Sequence, residues 1–391
     1  MEKSDKPCFL KKLSSFELSL LLSELKFLEG ARLQKVYQPE ERQFFLQFYV
    51  PSKGKSILRA VFPSLLFIGQ EKPDSLKNPS RMVSLLRKYL ENSQLSSISQ
   101  IGFERIVKLS FTIKSESYSL LIELFSKGNL ILCKEEDGKS IILGLLESQS
   151  WKDRILKQGE EYKLPPSLIS PFSLKSDEFN ALISGSDREV VKFLAIEFGF
   201  GGLYSEELCL ISGVLKSKIS SSLSTGEKEA LFSAISSIQK RKLCASSVYK
   251  KDSDELVDVV PVELLFYKDF RKVPYESFSS ALDSSFGNIE LSSFSEQGRA
   301  SISEDKEMKK IQRLIEEQGL SAARLESEYC ENQKKAESVY NHYSEIKEVF
   351  DFLKEELSHS SVSEAFEKLK TFKSVKGFDK KERKLTMGFE D

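Results

Sequence analysis

Three glycines crowd around one phenylalanine in FGFGGLYSEEL, the stretch from Phe198 to Leu208. Glycine lets a backbone turn tightly and approach an anion, and the free N–H groups opening the next helix then face that anion. Nucleotide enzymes use such loops, but the dinucleotide fingerprint needs G-x-G-x-x-G directly after a strand. Here Gly199, Gly201 and Gly202 are followed by Tyr204 where the last glycine should stand, and the preceding EVVKFLAIEF has helical spacing. The lysine and Ser/Thr of a P-loop are missing too. The remaining anion chemistry is that of a helix-hairpin-helix turn gripping a nucleic-acid backbone. LYSEELCLISGV would be its second helix, Gly199, Gly201 and Gly202 its phosphate loop, and Phe200 a plug into the core. A helix–helix turn without a ligand uses the same residues, and Glu206 and Glu207 lower the appeal of the site for phosphate.

Other chemistries are scarce. The five cysteines, Cys8, Cys133, Cys209, Cys244 and Cys330, form no C-x-x-C pair. That spacing argues against zinc knuckles and a disulfide framework and fits a reducing cytosol. The two histidines, His342 and His359, both fall late in the chain, which leaves the body without a Ser-His-Asp triad or a histidine-rich metal site. No metal and no cofactor is expected. The net charge of -1 gives no global attraction to polyanions, so binding of that kind must come from local patches. Two are available. Arg87 and Lys88 in LLRKYL lie on a helix whose apolar face is already used, and point to solvent or to a ligand. Lys380, Lys381, Arg383 and Lys384 in DKKERK form a basic tip suited to a polyanion such as RNA, or a solvated hairpin.

The elements that must position these residues alternate in type. The N-terminal MEKSDKPCFLKKLSSFELSLLLSELKFLEG reads as an amphipathic helix, because Glu17, Ser19, Ser23 and Glu24 interrupt its apolar run. It is neither a signal peptide nor a membrane span, so a cytoplasmic protein with no membrane partner is expected. ARLQKVYQPEERQFFLQFYV reads as a hairpin turning at Gln38 to Glu41, and SILRAVFPSLLFIG as one further strand. RMVSLLRKYLE is helical, opened by Asn78, Pro79 and Ser80. RIVKLSFTI, YSLLIELF, NLILCKEE and SIILGLL form an antiparallel meander with turns at Lys127–Asn129 and Glu136–Gly138. A helical, serine-broken stretch follows from about Lys175 to Lys242. Then LVDVVPVELLFYKDF to ESFSSALDSSFG supplies a strand or two and a helix.

From Ile311, the positions Ile315, Gln318, Ala322, Leu325, Tyr329, Asn332, Ala336, Val339, Tyr343, Ile346, Phe350, Leu353 and Leu357 step by four and three. That is a heptad seam on a helix about 70 Å long. Such a stripe needs a partner, or else packs on the chain's own globular part. After Leu357 only a short helix and a basic hairpin are read, so the expected partner is another chain.

Several stretches taken in order resemble the NFACT family of ribosome-associated quality-control factors. They are SLLRKYLENSQLSSISQIGFERIVKLSF, LIELFSKGNLILC, DRILKQGEEYKLPPS, FGFGGLYSEELCLISGV, VVPVELL and ESFSSALDSSF, which together cover nearly the whole chain. The resemblance implies an α+β protein: a formamidopyrimidine-glycosylase-like N-terminal domain, a helix-hairpin-helix domain and a long coiled-coil arm. Its segments would be 1–172 for the first part of the N-terminal domain, 173–245 for the helix-hairpin-helix domain and 246–290 for a return segment. A linker at 291–303, the coiled-coil helix at 304–358 and a basic tip at 359–391 would follow.

Family members bind the large ribosomal subunit carrying stranded peptidyl-tRNA and recruit tRNA so that the nascent chain is tagged at its C-terminus. They also continue into a returning helix and an RNA-binding NFACT-R domain, which a separate chain would supply here. The family's Asp-Arg signature falls on Glu104 and Arg105 in IGFERIV, and a second acidic position falls on Glu17. The resemblance thus implies tRNA contact by Glu17, Glu104 and Arg105, with Arg87 and Lys88 nearby, although both acids are glutamate where aspartate is usual. A carboxylate accepts from base-edge amines and an arginine takes phosphate or stacks; an exposed ion pair is the other reading of Glu104 and Arg105. Base-excision chemistry is not expected, because Glu2 and Lys3 follow Met1 where glycosylases carry a proline amine and a glutamate. The rival readings are a surface adhesin, after the fibronectin-binding name used for bacterial members, and a structural coiled-coil dimer without RNA binding.

Overall fold

In a computed structural model the described residues are 11–70, 79–151, 154–165, 169–287, 325–359, 361–379 and 384–389. They belong to two compact units, Met1–Ser295 and Glu296–Asp391.

The first unit is built on a nine-stranded sheet with the order β4-β3-β2-β1-β5-β6-β7-β8-β9. Its first four strands are β1 (Arg32–Tyr37), β2 (Gln43–Val50), β3 (Gly54–Val61) and β4 (Leu65–Gly69). The others are β5 (Gln94–Gln100), β6 (Ile106–Ile113), β7 (Glu116–Glu123), β8 (Asn129–Glu136) and β9 (Lys139–Leu145). Every neighbouring pair is antiparallel, and two meanders meet where Arg32 of β1 faces Gln94 of β5. The expected meander is β6 to β9, and its turns place Gly128, Asp137 and Gly138 at positive φ.

Two sequence expectations fail in the sheet. SILRAVFPSLLFIG is a hairpin, β3 and β4, because Pro63 has no N–H to continue a ladder. QLSSISQ, for which no strand is expected, is β5. Its buried residues Leu95 and Ile98 stand three apart, the wrong parity for one face of a regular strand. A register shift between Leu95 and Ser97 restores that parity.

The N-terminal helix α1 (Ser15–Leu25) is not amphipathic in its setting. Phe16, Glu17, Leu18, Leu21, Leu22 and Leu25 are all buried, so α1 runs through the interior between the sheet and the helical part. Helix α2 (Arg81–Leu90), N-capped by Ser80, buries Met82, Val83, Leu86 and Leu90 beside β1 and β9. The helical stretch is α3 (Ser176–Ser184), α4 (Val190–Glu197), α5 (Gly201–Ser212) and α6 (Thr225–Gln239). Between β9 and α3 lies a small pair, β10 (Gln149–Ser150) and β11 (Ile155–Leu156). After α6 come β12 (Ser246–Tyr249), β13 (Leu256–Val260) and β14 (Arg271–Pro274), a sheet of order β13-β12-β14, and then α7 (Phe278–Phe286). The helical core takes in Phe16 of α1, Phe103 of the β5–β6 turn, and Val248 and Val260 of the small sheet.

In the second unit a helix at 325–341 leads into a helix at Tyr343–His359. A short helix at Val362–Leu369 and a hairpin, Val375–Asp379 with Lys384–Met387, follow. Of the expected seam positions Leu325, Tyr329, Asn332, Ala336, Val339, Tyr343, Phe350 and Leu357 are exposed, and Ile346 and Leu353 are half-buried; Ile311, Ile315, Gln318 and Ala322 lie outside the described residues. The unit's own contacts use a different stripe. Val349 is buried, and the rings of Phe352 and Phe372 lie 5.2 Å apart. Among the described residues no helix is long and apolar enough to cross a membrane.

Candidate nucleic-acid interface

Helices α4 and α5 are joined by Phe198, Gly199 and Phe200, and the turn requires its glycines. Gly199 has φ +66° and Gly201 φ +73°, a region that costs an L side chain about 1–2 kcal/mol. Phe200 between them is fully buried, as the plug reading expects. Its ring meets Phe103 at 5.8 Å, Phe172 at 5.7 Å and Phe16 at 6.4 Å. Phe103 immediately precedes Glu104, so one aromatic cluster draws the glycine turn and the Glu104–Arg105 turn to the same place. Gln100 reinforces this: its Nε2 donates to the carbonyls of Ser15 and Glu104 at 3.0 and 2.7 Å.

The result is a cavity of about 810 Å³, with Glu17, Glu104, Arg105, Gly199, Gly201 and Gly202 in its lining. Lys11, Lys12, Asp258 and the apolar side chains of Phe125, Pro165 and Ile196 complete much of the wall. No side chain caps the first turn of α5, so N–H groups of that turn are presented where Gly201 and Gly202 line the cavity. An added Cβ at either glycine would meet nothing within 4 Å; the backbone stands open to the space. Glu206 and Glu207 do not oppose an anion there. Glu206 pairs with Lys216 at 2.9 Å. Glu207 is fully buried, pairs with Arg241 at 2.8 Å and accepts from the N–H groups of Leu265 and Phe266.

Arg105 is half-buried and, among the described residues, its guanidinium has no hydrogen-bond or ion-pair partner. Burial pushes it below the usual arginine range, with the charge of Glu104 working the other way. A cation held partly out of water without a hydrogen-bonded counter-charge favours an incoming anion. The exposed-ion-pair reading therefore does not describe Arg105.

Glu17 is different. It is 1% exposed, and its carboxylate is fully engaged. Oε2 accepts from Ser14 N and Ser14 Oγ at 2.8 and 3.1 Å, closing a capping box on α1. Oε1 takes Lys11 Nζ at 2.7 Å and Tyr204 Oη at 3.1 Å. Lys11 also reaches Asp258 Oδ1 at 2.7 Å, and Asp258 Oδ2 accepts from Tyr267 at 3.0 Å. Burial pulls the Lys11 ammonium down, but the charges of Asp258 and Glu17 more than reverse this and hold it above its ordinary value. Lys11, Tyr204, Asp258 and Tyr267 carry no local motif, so sequence reading missed them. The one signal available was Ser14 followed by Glu17, the spacing of a capping box.

The other expected contacts are elsewhere. Arg87 donates from Nε and Nη2 to the Val36 carbonyl at 3.2 and 2.8 Å, bracing α2 on β1. Lys88 is exposed, its ammonium 4.9 Å from the Tyr89 ring centroid. Neither lines the cavity. Lys384 is exposed at the start of the second hairpin strand, while Lys380, Lys381 and Arg383 lie outside the described residues. Among the described residues no cluster of His, Cys, Asp or Glu has the form of a metal site.

Sheet, buried α1 and glycine-turned helix pair define a mixed α/β protein with a cavity between its sheet turn and its helices. The description of the NFACT N-terminal and middle domains matches residues 14–373, and the chain belongs to the NFACT family. It is 29% identical over 362 residues to the archaeal Rqc2 homolog aRqcH of Methanocaldococcus jannaschii, covering 88% of this chain and 52% of that protein. It is 23% identical over 303 residues to the ribosome quality control complex subunit NEMF of Homo sapiens, covering 71% of this chain and 28% of that one. The chain thus spans about half the length of the archaeal relative, and less of the human one. In fold it is similar to the fibrinogen binding protein from Staphylococcus aureus. The TM-score is 0.58 at 21% identity, over 70% of this chain and 98% of that one.

Proposed function

We propose that this protein is a non-enzymatic RNA-binding component of ribosome-associated quality control. It binds the large ribosomal subunit carrying stalled peptidyl-tRNA and recruits tRNA for C-terminal tagging of the nascent chain. The observation that carries the reading is Arg105: a half-buried guanidinium without a hydrogen-bond or ion-pair partner among the described residues, on the same cavity as the uncapped first turn of α5. Both elements attract phosphate, and Glu104 beside them supplies an acceptor for the amines of a splayed base. Membership of a family whose relatives are named as quality-control subunits supports the ribosomal setting.

The finer domain readings belong to the same proposal. The α4–α5 pair is a helix-hairpin-helix element, and the sheet with α1 and α2 is a glycosylase-like domain without the glycosylase reaction. The helix of the second unit is one strand of a coiled coil. The exposure of Leu325, Tyr329, Val339 and Phe350 supports a partner helix along that seam. The protein works in the cytoplasm.

Arg105→Glu tests the site. Fluorescence anisotropy with labelled tRNA should show binding weakened by about tenfold or more, because a phosphate contact is replaced by a repulsion. Co-sedimentation with large ribosomal subunits should fall in parallel. Unchanged tRNA affinity would remove Arg105, and with it this reading of the cavity.

A further inference from the structure

Resting on that reading, we infer that Glu17 is a positioning residue and not a contact to RNA. With Lys11, Tyr204, Asp258 and Tyr267 it forms a buried polar latch that sets the glycine turn against Arg105. Three observations carry this. First, every oxygen of Glu17 is already engaged, and the residue is 1% exposed. An acceptor with no free direction has nothing left for a base edge. Second, the latch joins segments that chain connectivity does not hold together. Lys11 and Asp258 are 247 positions apart, and Tyr204 and Glu17 are 187 apart. Third, Tyr204 lies in the first turn of α5, two residues after Gly202. Its hydroxyl bond to Glu17 therefore ties the anion-facing N–H groups to α1, while its ring packs edge-on against Phe16 at 4.9 Å.

The position of those N–H groups relative to Arg105 decides whether one phosphate meets both. Within the latch Lys11 faces Glu17 and Asp258, and Tyr204 and Tyr267 each donate to one of those two carboxylates. The ammonium is thereby neutralised from within, and the surplus carboxylate charge is held by the two tyrosine hydroxyls.

The test uses the full chain, a fluorescein-labelled tRNA, and the rate at which iodoacetamide labels Cys209. That thiol is buried on α5 near Tyr204, and burial with the charge of Glu206 pushes it up to about 11. Cys133, buried in β8, serves as the internal reference for global opening. Tyr204→Phe deletes one hydroxyl and keeps the ring. It should weaken tRNA binding by about tenfold and speed Cys209 labelling by a similar factor, with Cys133 labelling unchanged. Saturating tRNA should slow the Cys209 reaction again, a reversal that simple loss of packing would not give.

Glu17→Gln is the second variant. Its amide oxygen still accepts from Tyr204, so Cys209 should stay nearer to wild type than in Tyr204→Phe. The inference is overturned if Tyr204→Phe binds tRNA like wild type while Arg105→Glu does not. It is overturned equally if Glu17→Gln abolishes binding with Cys209 protection intact, because Glu17 would then touch the RNA. If wild type itself ignores tRNA, the functional reading fails together with the RNA half of the inference. Cys209 labelling then still reports whether the latch holds α5.

Discussion

Gly201 and Gly202 are neighbours in sequence and opposites in backbone. Gly201 has φ +73° with open space around it, while Gly202 meets equally open space without a positive φ. Gly201→Ala should therefore destabilise the protein by about 1–2 kcal/mol. Gly202→Ala should leave stability unchanged or raise it by up to about 1 kcal/mol. Thermal melts of the two variants check this. If a phosphate approaches this backbone, Gly202→Ala should nonetheless weaken tRNA binding, because its methyl stands in the cavity. At this scale the sequence was informative where chemistry is local. Glycine spacing and an intervening Phe200 identified a turn and a plug without any knowledge of the partners. Glu17 was found for a reason the structure replaces: its carboxylate is committed to Ser14, Lys11 and Tyr204. Ser14 stands at capping-box spacing, but Tyr204 is 187 positions away, and no spacing rule could have paired it with Glu17.

Elements in this fold are fastened by carboxylates reaching across the chain. Glu24, which reads as a polar break in α1, accepts from Phe278 N at 2.8 Å and Ser279 N at 3.1 Å, capping α7 from 254 and 255 positions away. Glu207 does the same for Leu265 and Phe266. Glu24→Ala should leave two helix-opening N–H groups without acceptors and cost about 1–3 kcal/mol. Glu24→Gln, which keeps one acceptor oxygen, should cost less; denaturant midpoints distinguish the two. A different feature explains the strand that sequence reading missed. Strand β5 is serine-rich and offers only Leu95 and Ile98, and their parity looks wrong until the bulge between Leu95 and Ser97 is known. Aromatic and aliphatic strands such as β2 and β7 announce themselves. A central strand satisfied by neighbours on both sides needs little hydrophobicity of its own.

At the scale of the whole chain, the second unit carries two stripes with different obligations. Val349 is 1% exposed, whereas Phe350, the next residue, is 54% exposed. Val349→Asp should unfold the short helix and hairpin that follow, since it buries an unpaired charge. Phe350→Asp should leave thermal stability within about 0.5 kcal/mol and abolish any association made through the seam, as read by sedimentation velocity with a candidate partner. The heptad spacing was legible along this helix. The internal stripe was not, because Val349 and Phe352 find their mates only once the chain has turned back.

In the first unit, the helical core is completed by Phe16, Phe103, Val248 and Val260, none of which belongs to residues 173–245. That segment is consequently not a cassette that recombination could lift into another gene intact. Alone it would leave behind the side chains that finish its interior. The glycine turn and Arg105 therefore stand or fall on one shared interior, and excising the segment would strip the turn of Phe16 and Phe103 together.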